Sequence, residues 1–350
     1  MNVTVPVPVH KAVNTVSAGH MPRWTGIVVG LALLVAVSLT SLLFGARPIS
    51  VRTALGALFS PDMQWIDHIV IRDYRLPRTL LGLLCGAAFG VSGALIQAAT
   101  RNPLADPGIL GVNAGAAFFV TLSVGLLGFH SIDAYLWFAF LGAILVTLAV
   151  YALGAVGRDG ATPVRLVLAG VALSAVLGGI GSAITLLDPQ AFDSMRFWSI
   201  GSVAGRNMDV VLTVAPFISM GLVIALVASR SLNAVALGDD LARSLGANII
   251  RVRILIVIAV TLLAGAGTAA CGPIGFVGLM VPHVVRWFVG PDQRWIIPLT
   301  MIYAPVLLLS ADIAGRLILF PGELEAGIVT AFIGAPVLIL LARRRQASGL

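Results

Sequence analysis

Apolar runs of about twenty residues, set apart by short polar or proline-marked breaks, recur along the chain from residue 25 onward. Read against those breaks, they predict ten helical spans at 25-45, 76-97, 107-128, 135-156, 164-187, 209-229, 253-272, 275-290, 296-318 and 324-342. Crossing a bilayer takes about 20 apolar residues per helix, because backbone groups left unbonded in hydrocarbon are costly. Ten such runs leave almost nothing for a soluble domain. The pattern predicts an all-α polytopic membrane protein: a tail at 1-24, a single transmembrane domain at 25-342 and a second tail at 343-350. Thr25 to Phe44 is too long for the core of a signal peptide and no Ala-x-Ala site follows it, so it is expected to stay as the first helix.

Small residues refine this picture. Gly82, Gly86 and Gly90 fall on one helix face at intervals of four, which lets a neighbouring backbone approach and predicts that the second span is buried among others. Breaks at Asn102-Pro103 with Asp106-Pro107-Gly108, and at Cys271-Gly272-Pro273, follow the second and seventh spans. Their correspondence predicts an inverted repeat of spans 2-5 and 7-10 with discontinuous helices.

Composition agrees with the pattern and excludes a water-soluble globular protein: 59% of residues are hydrophobic, 11% are charged, and the mean hydropathy is +1.02. The net charge of +7 is almost wholly arginine, Lys11 being the single lysine. These charges punctuate the ends of apolar runs instead of lining one face, which argues against nucleic-acid binding. Ten spans put both termini on one side of the membrane. That side holds fourteen basic residues against eight on the other, so the termini are expected to be cytoplasmic. Arg72, Arg75 and Arg78 then lie on the outer side, against the bias that orients the rest.

No enzyme constellation stands out. The histidines are scattered, no metal-ligand spacing occurs, and Cys85 and Cys271 read as small buried thiols. A phosphate-binding loop needs a lysine after glycine, and the only lysine follows His10, so this chain is not itself an ATPase. The longest hydrophilic segment on the termini's side, 229-253, contains Leu237, Leu241 and Leu245 at helical spacing, an acidic start at Asp239 and Asp240, and Gly246 as a stop. It predicts a short amphipathic helix on the inner face, either a mere connector or a docking surface for another protein. Asp312 and Arg316, four residues apart, share one face at the outer end of the ninth span.

Six ordered motifs carry a family resemblance. They are Arg75-Leu76-Pro77-Arg78; TRNPLADPG from Thr100 with LGVNAG from Leu110; LAGVAL from Leu168; the loop from Ala236 to Gly246; GPIGFVGLMVPH from Gly272; and Gly334-Ala335-Pro336. Together they resemble the FecCD-type permeases, the membrane subunits of ABC importers for iron-siderophore complexes, haem and cobalamin. TRNPLADPGILGVNAGA, Arg196-Phe197-Trp198 and PHVVRWFVG from Pro282 look most like members that carry ferric enterobactin, a catecholate siderophore.

The resemblance implies a multi-pass protein of the bacterial inner membrane with no cofactor of its own, ATP and Mg being bound by partner ABC ATPase subunits. It implies that Leu237, Gly238, Asp239, Asp240, Leu241, Ala242, Leu245 and Gly246 form the loop that docks on the ATPase. It implies that Arg75, Arg78 and Arg316 receive a periplasmic substrate-binding protein, pairing with its glutamates. The cytoplasmic gate would use Asn102, Leu104, Thr162, Pro163 and Val164, and the pathway would run between this chain and a second permease subunit, identical or paralogous. Ser174, Ser182, Asn113 and Gln97 are the polar groups the spans offer to a cargo, which suits a bulky chelate moving through a weakly binding channel. Haem or cobalamin is the alternative cargo within the family, and a secondary transporter the alternative from another class.

Overall fold

A computed structural model describes residues 23–343 other than 46, 63, 130, 157–161, 245 and 247. The tails expected at 1-24 and 343-350 therefore fall almost wholly outside the described residues, as does Leu245. The chain runs through α1 (Arg23–Leu43), α2 (Val51–Phe59) and α3 (Ile66–Ile69), which passes by a π-helical turn (Val70–Arg75) into α4 (Leu76–Thr100). A 3-10 turn (Pro107–Leu110) leads to α5 (Val112–Gly125), α6 (Ile132–Ala155), α7 (Pro163–Leu187), α8 (Pro189–Trp198) and α9 (Met208–Ala236). Then follow α10 (Asp239–Ser244), α11 (Ile249–Cys271), α12 (Val277–Val289), α13 (Gln293–Ile318) and α14 (Ala326–Arg343).

Among the described residues, seven helices are long and apolar enough to cross a membrane, and α5, α12 and α14 supply three shorter apolar ones. These are the ten predicted spans, each within a few residues of its expected position except where α9 runs on to Ala236. Side-chain caps set several starts: Thr162, Asn207, Asn248 and Asp292 each accept a hydrogen bond from a main-chain N–H of the first turn that follows.

α4 lies at the centre, with 83% of its most apolar stretch buried, whereas α7 buries only 11% and presents most of its surface outward. The glycine face explains the difference. A Cβ at Gly86 would stand 2.5 Å from Pro305 Cα on α13, and one at Gly90 would collide with Ala304, so only glycine admits that helix at this distance. α4 packs against α12 and α13, while α11 packs against α5 and α6, and α4 and α11 pack on each other. This exchange of partners is what an inverted repeat of spans 2-5 and 7-10 produces. The broken spans also correspond: Gly111 (φ +75) precedes α5, and Gly272 (φ +74) with Phe276 (φ +68) precedes α12.

Arg23 lies over the Trp295 ring near the start of α13, and Asp292 just before α13 bonds to Asn233 near the end of α9, so the start of α1 shares one end of the bundle with α10. The opposite end carries α2, α3 and α8, none of which the hydropathy pattern predicts. These helices are short and mixed in polarity, and between two long apolar runs such segments read as loops.

Candidate functional site

At the first end, α9 extends past its apolar run and Gly238 (φ +113) turns the chain into α10. Ala242 is fully buried, which seats the helix on the bundle, and its N–H bonds to the Gly238 carbonyl at 2.9 Å within the first turn. The larger apolar side chains point away: Leu237 is 62% exposed and Leu241 49%. Asp240 and Arg243 form an exposed ion pair at 3.7 Å, and Gly246 (φ +80) ends the turn. A short helix is present here with Leu241 outside and Leu237 exposed at the turn before it, the reverse of what a segment folded only onto its own chain would do.

Part of the expected gate sits close by. Arg101 takes a left-handed conformation (φ +52) to close α4, and its Nε donates to the Val235 carbonyl at 3.1 Å, one turn before α10. Asn102 Oδ1 accepts from the Leu104 N–H at 3.0 Å, fixing the turn and leaving Leu104 43% exposed. Thr162 accepts from the Arg165 N–H and so caps α7, whose first turn holds Pro163 and an exposed Val164. The two stretches lie on packed elements, since the Pro107–Leu110 turn abuts α7. Neither Arg101 nor its bond to α9 is apparent in the sequence, because Val235 is a main-chain partner remote in the chain.

At the other end Arg75, Arg78 and Arg316 converge, and two of the three face inward. Arg75 is 6% exposed and Arg316 3%. Arg75 Nη1 donates to the carbonyls of Leu42 and Leu43, each at 2.8 Å, and its Nη2 to that of Arg47. Arg316 Nη1 donates to the Ser41 carbonyl at 2.8 Å, and Nη2 to Ser41 Oγ at 3.1 Å and to Asp312. The last turn of α1 has no basic residue of its own and leaves carbonyls unpaired, so cations from the π-helical turn and α13 cap it. Arg78 is the outermost of the three. Its Nη2 meets Asp312 at 2.7 Å and its Nη1 meets Glu323 at 2.7 Å, with 13% of its side chain and 37% of that of Glu323 exposed.

Of the polar groups offered to a cargo, Gln97 is fully buried between α4 and α12, donating to the Leu279 carbonyl at 3.1 Å and accepting from Arg286 at 3.2 Å. It fastens the two helices together. Asn113 accepts from Thr268 Oγ1 at 3.0 Å. Ser182 instead lines an open cavity of about 420 Å³ between α5, α7 and α8, with Phe118, Thr121, Thr185, Arg196 and Ser199. Cys85 and Cys271 are buried and reduced, their sulfurs 3.2 Å apart where α4 meets α11.

Comparison with known proteins follows this geometry. The chain is 48% identical over 319 residues to the ferric enterobactin transport system permease protein FepD of Escherichia coli (strain K12), covering 91% of this chain and 95% of that one. It is 43% identical over 300 residues to the Fe(3+)-citrate import system permease protein YfmD of Bacillus subtilis (strain 168), covering 86% and 89%. Among solved structures, one described as an inward-facing metal-chelate type ABC transporter superposes with a TM-score of 0.80 at 29% identity, over 90% of this chain and 98% of that one. With residues 33–344 matching the family as a whole, this multi-pass membrane protein belongs to the FecCD transport family, whose permeases move solutes and catalyse no reaction.

Proposed function

We propose that this chain is the permease subunit of an ABC importer that carries a ferric siderophore, of the catecholate class, from periplasm to cytoplasm. The observation that carries the reading is the pair of exposed leucines at this end, Leu237 in the turn before α10 and Leu241 on it. A helix that buries Ala242 and offers Leu237 and Leu241 to solvent needs an apolar groove in another protein, and a separate ATPase subunit supplies one. Closure of two such ATPases would push α10, and through Arg101 the gate turn at Asn102 and Leu104. Thr162, Pro163 and Val164 complete the gate on α7.

The opposite end faces the periplasm. There the binding protein docks at Arg78, whose guanidinium reaches the surface, while Arg75 and Arg316 hold the platform from beneath. A carboxylate of the partner would compete with Glu323 for Arg78 and dock with a charge-assisted pair that weakens with salt. The outward surface of α7, with the cavity at Ser182, meets the second permease subunit, and the pathway runs between them. The catecholate assignment rests on the 48% identity to a ferric enterobactin permease.

The test is reconstitution of the permease with its ATPase and binding protein in vesicles, followed by uptake of iron as catecholate, hydroxamate or haem complex. ATP-dependent uptake of the catecholate, at least tenfold above the others, is expected. Preference for haem or cobalamin would move the cargo within the family. Uptake that persists without ATP would overturn the importer reading in favour of a secondary transporter.

A further inference from the structure

Two adjoining cavities on the outer surface of the bundle form one groove between α1, α12 and α13. The first, about 230 Å³, is lined by Arg23, Val285, Phe288, Leu299 and Tyr303; the second, about 310 Å³, continues past Phe288 and Tyr303 to Leu307 and Ser310. Phe288 is 52% exposed and α1 buries only 17% of its apolar stretch, so the groove opens on the apolar exterior of the bundle. The Tyr303 hydroxyl donates to the Gly26 carbonyl at 2.8 Å, which ties α1 to α13 across the groove.

The groove has a polar mouth and an apolar length. The Arg23 guanidinium stands 5.5 Å from the Trp295 ring centre, and Trp24 meets the same ring edge-on at 5.7 Å. An arginine and two tryptophans at one level are the side chains that settle at a membrane interface. From Leu299 to Ser310 the helix rises about 16 Å at ~1.5 Å per residue. That is about half of the ~30 Å hydrocarbon thickness, the depth of one leaflet.

We propose that this groove is a binding site for an anionic phospholipid, one acyl chain lying along α12 and α13 with its phosphate on Arg23. Placing the lipid in the inner leaflet rests on the orientation given under Proposed function; the binding itself does not. Charge selects the occupant. A zwitterionic lipid fills the apolar length equally well, but its headgroup brings no net charge to the guanidinium.

The assay is native mass spectrometry of the permease–ATPase complex titrated with dioleoyl phosphatidylglycerol or dioleoyl phosphatidylethanolamine. Wild type is expected to retain phosphatidylglycerol about tenfold more strongly, as befits one charge-assisted contact, and Arg23→Ala to erase that preference. Ser310→Phe, at an exposed position at the far end, is expected to lower retention of both lipids by shortening the groove. Arg52→Ala, at the opposite end of the bundle, should change neither. Equal retention of the two lipids by wild type, or a preference that survives Arg23→Ala, overturns the proposal. So does a tenfold rise in lipid occupancy on deleting residues 1–22, since that segment would then be the occupant. Because lipid retention is read without substrate, these outcomes are independent of whether the cargo is a siderophore.

Discussion

Arg101 Nε donates to the main-chain carbonyl of Val235 at 3.1 Å, joining the end of α4 to the last turn of α9. A displacement of α10 must therefore reach the turn at Asn102 and Leu104 unless this bond breaks. Arg101→Ala removes a charge-assisted hydrogen bond, a contact worth about 1.5–3 kcal/mol. The variant is expected to insert and assemble normally while substrate-stimulated transport falls about tenfold relative to ATP consumed, a ratio measured in proteoliposomes. An unchanged ratio would remove Arg101 from the coupling route.

Leu237 and Leu241 carry the second expectation. Burying a leucine in a partner's groove is worth about 1.5–3 kcal/mol, and a carboxylate in its place must be desolvated without a counter-ion. The double variant Leu237→Glu with Leu241→Glu should lose co-purification with the ATPase and leave the permease melting temperature unaltered, since both side chains already face solvent. Retained co-purification would assign α10 to a connector.

Much of this architecture is legible in the sequence because lipid imposes a length on every span, and a run of twenty apolar residues has few other uses. Burial of α4 is legible for a similar reason, since Gly82, Gly86 and Gly90 repeat at the helical period. The inward turn of Arg75 and Arg316 is not. Both residues are charged and sit next to the membrane surface, and their partners are carbonyls of Ser41, Leu42 and Leu43 that no side-chain pattern announces. Sequence groups these arginines at the end of the bundle opposite α10; only packing tells which of them is visible from outside.

Gly86 and Gly178 form a contrasting pair. A side chain at Gly86 meets Pro305 backbone at 2.5 Å, whereas nothing lies within 4 Å of a Cβ at Gly178 on α7. Gly86→Val should lower folded yield, with a cost of about 1–3 kcal/mol or more because backbone cannot yield to it. Gly178→Leu should leave the monomer intact and disrupt assembly of two permease subunits, read by size-exclusion chromatography with multi-angle scattering. A normal dimer from Gly178→Leu would exclude that stretch of α7 from the interface.

Asp292 sets a pH dependence. Hydrogen bonds from the Arg294 side chain first, then from Asn233 and the Arg294 main chain, pull its carboxyl down to about 2 against the opposing effect of burial. A depressed acid binds its proton less readily in the folded state. Its stabilising contribution is therefore complete above its ordinary value of about 4 and is lost as pH falls from there towards 2. Asp292→Asn should melt below wild type at neutral pH, with the difference shrinking through that window. The gap is expected to be small, because the pair with Arg294 is partly open to solvent and screened. A gap that widens on acidification would contradict the assignment.

Arg78, Glu323 and Arg316 separate docking from scaffolding at the outer end. Arg316→Ala leaves Asp312, itself 1% exposed, without one of its two cations and removes the part of the α1 cap that bonds the Ser41 and Phe44 carbonyls, so a loss of about 3–5 kcal/mol of stability is expected. Arg78 and Glu323 should instead act on the binding protein with opposite sign. Glu323→Gln frees Arg78 Nη1 for an incoming carboxylate and should tighten docking at low salt; Arg78→Gln should weaken it, and both effects should fade as ionic strength rises. Thermal denaturation measures the Arg316 variant, and surface plasmon resonance with the reconstituted permease measures the other two. If Glu323→Gln and Arg78→Gln shift affinity in the same direction, the pair serves the fold, as Arg75 and Arg316 do, and the binding protein lands elsewhere on that face.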